Sequence, residues 1–235
     1  MFIGSGTAPM NFKSLAAALR PHKTVPVTPW TSSGRWDLNF PRVAILFFGL
    51  ALFGLGDSLL IQGNIGNAPW TVLAEGITLK TDLSIGWATF FVSVFVLLLW
   101  IPLKERPGFG TLSNIVLIAL FIQIGTLIFP DVDTIAAGVA YDLIGIALVG
   151  FGSALYITCG LGPGPRDGAM TGIHHRTGVR VGRVRMGIEV TVLLAGWSLG
   201  GTVGIGTALF ALLIGQSVAI FLGLVARISQ SKPLP

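Results

Sequence analysis

The chain has 235 residues, 52% hydrophobic and 11% charged, with a formal net charge of +5 and a mean hydropathy of +0.81. Soluble domains carry about 25% charged residues, so this chain has too little charge to cover a water-facing surface, which excludes an ordinary soluble globule and a disordered tail. At about 20 apolar residues per crossing, several membrane spans fit. Thirty-two glycines suggest helices that pack backbone to backbone or are broken. The single cysteine, Cys159, excludes an intramolecular disulfide and a zinc site built of cysteines.

Residues 1–42 form a basic, irregular leader. Lys13, Arg20, Lys23 and Arg35 face one acid, Asp37, and the apolar run at 15–19 is too short for a signal peptide. Such a leader either sets topology from the cytoplasm or touches anionic headgroups. An integral domain follows over 43–226, with a short cytoplasmic tail at 227–235. Its apolar stretches are 43–62, 86–102, 111–129, 135–158, 184–199 and 205–226, the second and fifth being short. The run Val94-Phe95-Val96-Leu97-Leu98-Leu99-Trp100 does not alternate as a strand would, so these are helices. Basic residues concentrate in the leader, in 103–110, in 159–183 and in the tail, whereas 130–134 holds only Asp131 and Asp133 and 200–204 holds no charge. By the positive-inside rule this predicts six crossings with both termini cytoplasmic. The positive charge is thereby a topology signal, and no nucleic-acid partner is expected.

The chain repeats itself. A shift of 96 residues aligns Gly49 onward with Gly145 onward, and 24 of 76 positions are identical without a gap. The matches include Pro69/Pro165 and Gly108-x-Gly110-Thr111 with Gly204-x-Gly206-Thr207. The copies span about 43–129 and 135–226. With three crossings each, the second copy must enter the membrane from the opposite side, giving an all-α fold of two inverted-topology repeats.

The same segment is broken in both copies: Gln62-Gly63-Asn64-Ile65-Gly66-Asn67-Ala68-Pro69-Trp70 and Cys159-Gly160-Leu161-Gly162-Pro163-Gly164-Pro165-Arg166-Asp167-Gly168. Proline suits the first turn of a helix, so Pro69 and Pro165 open two short helices. Their N-termini would present free N–H groups and positive dipole ends to a ligand. This predicts a substrate site of Arg166, Asp167, Gly162, Gly164 and Gly168 on one side and Asn64, Asn67 and Trp70 on the other. The bland alternative is two amphipathic turns at the membrane interface.

Charges within spans are costly and must pair or face a cavity. Arg185 and Glu189 share a helical face at i, i+4, either as an intrahelical ion pair or as counter-ions in a cavity. Asp57 has no local partner; desolvation favours a neutral carboxyl, which makes it the candidate for proton coupling. Asp142 reads as interfacial, and Asn114, Gln123 and Gln216 as interhelical hydrogen bonds. Adjacent His174 and His175 do not face each other, so no metal site is expected. No cofactor motif and no nucleophile–base pair is found, so no enzyme is expected.

The string Gly160-Leu161-Gly162-Pro163-Gly164-Pro165-Arg166-Asp167-Gly168 resembles the YczE/YyaS/YitT family of bacterial membrane proteins, closest to its YczE-like branch. Arg176-Thr177-Gly178, Arg185-x-x-x-Glu189 and the glycine-rich 200–207 share in the resemblance, which covers about 43–226. It implies one integral domain in a bacterial plasma membrane and adds little chemistry. The residues themselves suggest a transporter-like protein that binds or moves a small, anionic solute between the repeats. The alternative is a membrane scaffold or regulator packing against another membrane protein or a second copy of itself.

Overall fold

The computed structural model describes residues 25–230, all helical or irregular, with no strand among them. Residues 1–24 of the expected leader and 231–235 of the expected tail lie outside the described residues. In chain order the helices are α1 (Phe40–Gln62), α2 (Pro69–Thr78), α3 (Ile85–Leu98), α4 (Trp100–Leu103), α5 (Phe109–Ile128), α6 (Ile135–Thr158), α7 (Pro165–Thr177), α8 (Val181–Ser198) and α9 (Ile205–Gln230). Proline opens α2 and α7, where its missing N–H is not needed. The Thr134 side chain caps α6 by accepting from the Ala137 N–H. Gly178, at φ 69°, ends α7 in the left-handed region.

Five helical segments are long and apolar enough to cross a membrane: Phe40–Gln62, Ile85–Leu103, Phe109–Ile128, Ile135–Thr158 and Ile205–Ser229. At 1.5 Å per residue, the 23 residues of α1 reach about 34 Å, enough for a hydrocarbon core of about 30 Å. Phe48, Phe95, Val116, Leu120 and Leu212 point outward and are exposed, an apolar girdle that suits lipid and not water. The remaining expected stretch, 184–199, the fifth in chain order, is a helix but begins earlier, at Val181. It carries Arg183, Arg185 and Glu189 in 18 residues, and that charge keeps it out of the apolar set.

The centre is a backbone-to-backbone crossing of α1 and α6. A Cβ on Gly56 would stand 2.7 Å from the Gly145 carbonyl oxygen, and one on Gly49 would stand 2.9 Å from that of Gly152. Only glycine allows this approach. On the flanks, α2 packs on α8 through Gly76 and Gly196, while α7 packs on α3 and, through Gly168 and Gly172, on α4.

Two clasps lock the breaks. At one end Ile65 accepts from the Gly206 N–H at 2.8 Å, the Asn67 N–H donates to the Thr202 carbonyl at 3.2 Å, and the Val132 N–H donates to Gln62 at 3.1 Å. At the other end the Gly110 N–H donates to Leu161 at 2.8 Å and the Thr111 hydroxyl donates to the Pro163 carbonyl at 2.7 Å. Each Gly-x-Gly-Thr therefore grips the break of the opposite half. The segment 25–39 straps the second clasp. The Ser32 N–H donates to the Cys159 carbonyl at 2.9 Å, the Trp30 indole donates to the Thr158 hydroxyl at 3.1 Å, and the Phe109 N–H donates to the Arg35 carbonyl at 3.0 Å.

Candidate functional site

Both short helices aim their first turns at one cavity of about 250 Å³. Ala68, Pro69 and Trp70 come from the first break; Gly164, Pro165, Arg166 and Asp167 come from the second. Seven pairs of lining residues stand 96 positions apart, among them Trp70/Arg166, Ser93/Glu189 and Asn114/Phe210. Trp70 and Arg166 meet: the guanidinium carbon lies 4.9 Å from the Trp70 ring centroid, a cation–π contact. Arg166 takes no part in the Arg42–Asp37 or Arg185–Glu189 ion pair or in the His175–Glu105 contact.

The other charged side chains on the wall have hydrogen-bond partners there. Arg185 Nε donates to Glu189 Oε1 at 3.0 Å, so the pair is at once intrahelical and cavity-lining. The Tyr156 hydroxyl donates to Asp167 Oδ2 at 3.0 Å. Asp57 does not line the cavity; it is 1% exposed, and its Oδ2 has no hydrogen-bond partner.

Several expected site residues stand elsewhere. Gly162, at φ 113°, lies against Gly108 and Thr111 and lines a second, open pocket with Arg35. Gly168 gives its space to the Trp100 indole, whose Nε1 donates to the Pro165 carbonyl at 2.9 Å. Asn64 is exposed, at φ 55° in the turn. Asn67 is buried, and its Nδ2 donates to Glu75 at 2.9 Å. Asn64 takes the left-handed conformation that Asn tolerates, and Asn67 ties the break to α2 through Glu75. Asp142, expected at the interface, is fully buried, because the first break and the start of α9 fold over it.

Three participants were not read from the sequence as site residues: Ser93, Asn114 and Tyr156 all line the cavity. Ser93 was within reach, because it is the repeat counterpart of Glu189. Tyr156 also lines the second pocket, as do Ile157 and Asp167. The Tyr156–Asp167 hydrogen bond is thus part of the partition between the inner cavity and the pocket beneath Arg35.

A helical chain with five membrane-length apolar segments, polar groups buried inside and large apolar side chains such as Phe48, Phe95 and Leu212 outside, is a multi-pass membrane protein. Residues 40–223 match the model of a family of unknown function, DUF6198. A protein of Haemophilus influenzae described as uncharacterized is 45% identical over 206 residues, covering 88% of this chain and 94% of that relative. The uncharacterized membrane protein YczE of Bacillus subtilis is 35% identical over 176 residues, covering 74% and 82%. The uncharacterized protein YyaS of the same organism is 24% identical over 188 residues, covering 78% and 94%. The chain belongs to this YczE-like family of membrane proteins. No solved structure matches it.

Proposed function

We propose that the protein is transporter-like and binds or moves a small, anionic solute in the cavity between two inverted three-helix repeats. The observation that carries the reading is the meeting of Trp70 and Arg166. These repeat-related residues follow the two helix-opening prolines and together wall one cavity. Arg166 offers a fork of donors suited to a carboxylate or phosphate, and the first turn of α7 adds its dipole. Asp167 and Glu189 already hold Tyr156 and Arg185, so they orient the wall. Asp57 is the group through which proton uptake would change the field at Arg166.

Two features support the inverted architecture. Helix starts at 69 and 165, 85 and 181, and 109 and 205 keep one spacing of 96. The 130–134 and 199–204 connections meet the same break. For both to lie on one side of a bilayer, α8 must cross between them despite its charges. Both termini then face the cytoplasm of a bacterial cell.

The test is a thermal-shift screen of the detergent-purified protein with carboxylates, phosphates, amino acids and cations, since a ligand of the folded state raises its melting temperature. An anion should raise it in wild type. Arg166→Ala should weaken that anion roughly 10- to 100-fold, the worth of a charged hydrogen bond. An anion that stabilises both forms equally overturns the site. No response to any anion shifts the reading to a membrane scaffold, to be pursued through a co-purifying partner.

A further inference from the structure

Asp142, on the second turn of α6, is 0% exposed, and neither carboxylate oxygen has a hydrogen-bond partner. Its surroundings are acceptors. Oδ1 lies 2.9 Å from the point where a Cβ on Gly63 would stand, and the Leu59 and Gly138 carbonyl oxygens lie 3.3 Å from that same point. On the other side Oδ2 and the Gly66 carbonyl oxygen converge on the space left by the missing side chain of Gly206. The Gly206 N–H, a donor close by, is committed to Ile65. A buried carboxylate among carbonyl oxygens, with no donor, is strongly disfavoured unless a cation joins it or a proton neutralises it.

We infer that Asp142, with the carbonyl oxygen of Gly66 in the first break, forms a dehydrated site for a small monovalent cation, sodium. Carbonyls at an unwound helix end are the oxygen ligands such an ion takes in a membrane interior. One carboxylate matches one charge, and no group of three His, Cys, Asp or Glu is gathered among the described residues to hold a divalent ion. The acidic 130–134 turn adjoins the site, its Val132 N–H donating to Gln62, next to Gly63. Exposed Asp131 and Asp133 on that turn raise the local cation concentration. The elements packed around the site, α1, the first break, that turn and the start of α9, bring Asp57, Asp131 and Asp133 to this end and no lysine or arginine. Asp142 does not line the solute cavity, so the inference stands apart from the anion reading.

The test compares thermal unfolding of the full chain in sodium chloride and choline chloride at equal ionic strength. Sodium should raise the midpoint saturably, by about 5–10 °C at a hundred-fold excess over its Kd. The response should fade at low pH, as protons take the carboxylate. Asp142→Asn should melt at one temperature in both salts and bind no radioactive sodium; Asp142→Ser replaces it if the Asn variant does not fold. Equal melting of wild type in the two salts overturns the site, as does an undiminished sodium response in either variant. Stabilisation by acid without any sodium effect also overturns it, because Asp142 would then bind a proton only. If neither variant folds, the wild-type sodium titration against choline decides.

Discussion

Gly56→Ala, set beside Gly187→Ala, isolates the central packing claim. On Gly56 the new Cβ would stand 2.7 Å from the Gly145 carbonyl oxygen and 2.9 Å from the Val149 nitrogen. Both are backbone atoms of α6 and cannot rotate away, so α1 and α6 must separate by ~0.7 Å to reach ordinary contact at 3.4 Å. Overpacking of a tight core costs about 1–3 kcal/mol, and immovable backbone puts this site at the upper end. Alanine's better helix propensity returns up to about 1 kcal/mol, leaving a net loss of about 1–2 kcal/mol. Gly187 in α8 meets nothing within 4 Å, so its alanine keeps only the gain of up to about 1 kcal/mol. In an equilibrium unfolding titration from mild detergent into SDS, the two variants should therefore differ by about 2–3 kcal/mol. Equal stability, or a more stable Gly56→Ala, would refute the claim that the halves are held by direct backbone contact.

Other expectations follow from single contacts. Glu75 accepts from the Thr202 N–H and the Thr202 hydroxyl, each at 2.7 Å, and from Asn67 at 2.9 Å. Glu75→Ala should lower unfolding stability by about 1–2 kcal/mol, Thr202 being exposed, and Glu75→Gln by less because one acceptor remains; equal losses would deny the clasp. Tyr156→Phe keeps the ring but removes the hydrogen bond to Asp167. With Ser93→Cys as reporter in a Cys159→Ala background, it should speed labelling of the inner cavity from the Arg35 face, and an unchanged rate would place the barrier elsewhere. Trp70→Ala should weaken the anion found in the screen by roughly 0.5–2 kcal/mol, whereas Trp70→Phe keeps most of the cation–π contact; identical affinities would exclude stacking from binding.

The parts legible in the sequence obey local rules. Pro69 and Pro165 open helices because proline suits a first turn, and the Gly-x-Gly-Thr repeat stood out because residues that backbone must approach closely vary little in kind. Arg166 and Trp70 were legible as neighbours of the breaks. Their mutual contact was not, because it joins residues 96 apart. That Asn64 and Asn67 stand off the cavity wall was hidden for a related reason: in the sequence a polar residue in a break looks the same whether it faces a ligand or a side chain such as Glu75. Asp142 looked interfacial because depth was judged by distance from a helix end. Its burial comes from Gly63 and Gly206, segments distant along the chain.

The most direct test of the account is the side of the membrane on which two connections lie. Asp133→Cys and Val203→Cys, made singly in a Cys159→Ala background, place thiols at exposed positions that the structure brings to the same end as the first break. With a membrane-impermeant thiol reagent on intact cells, the inverted arrangement predicts that both are labelled from outside. Labelling of one with protection of the other would put α8 on one side of the bilayer and contradict the inverted repeats on which the shared cavity depends.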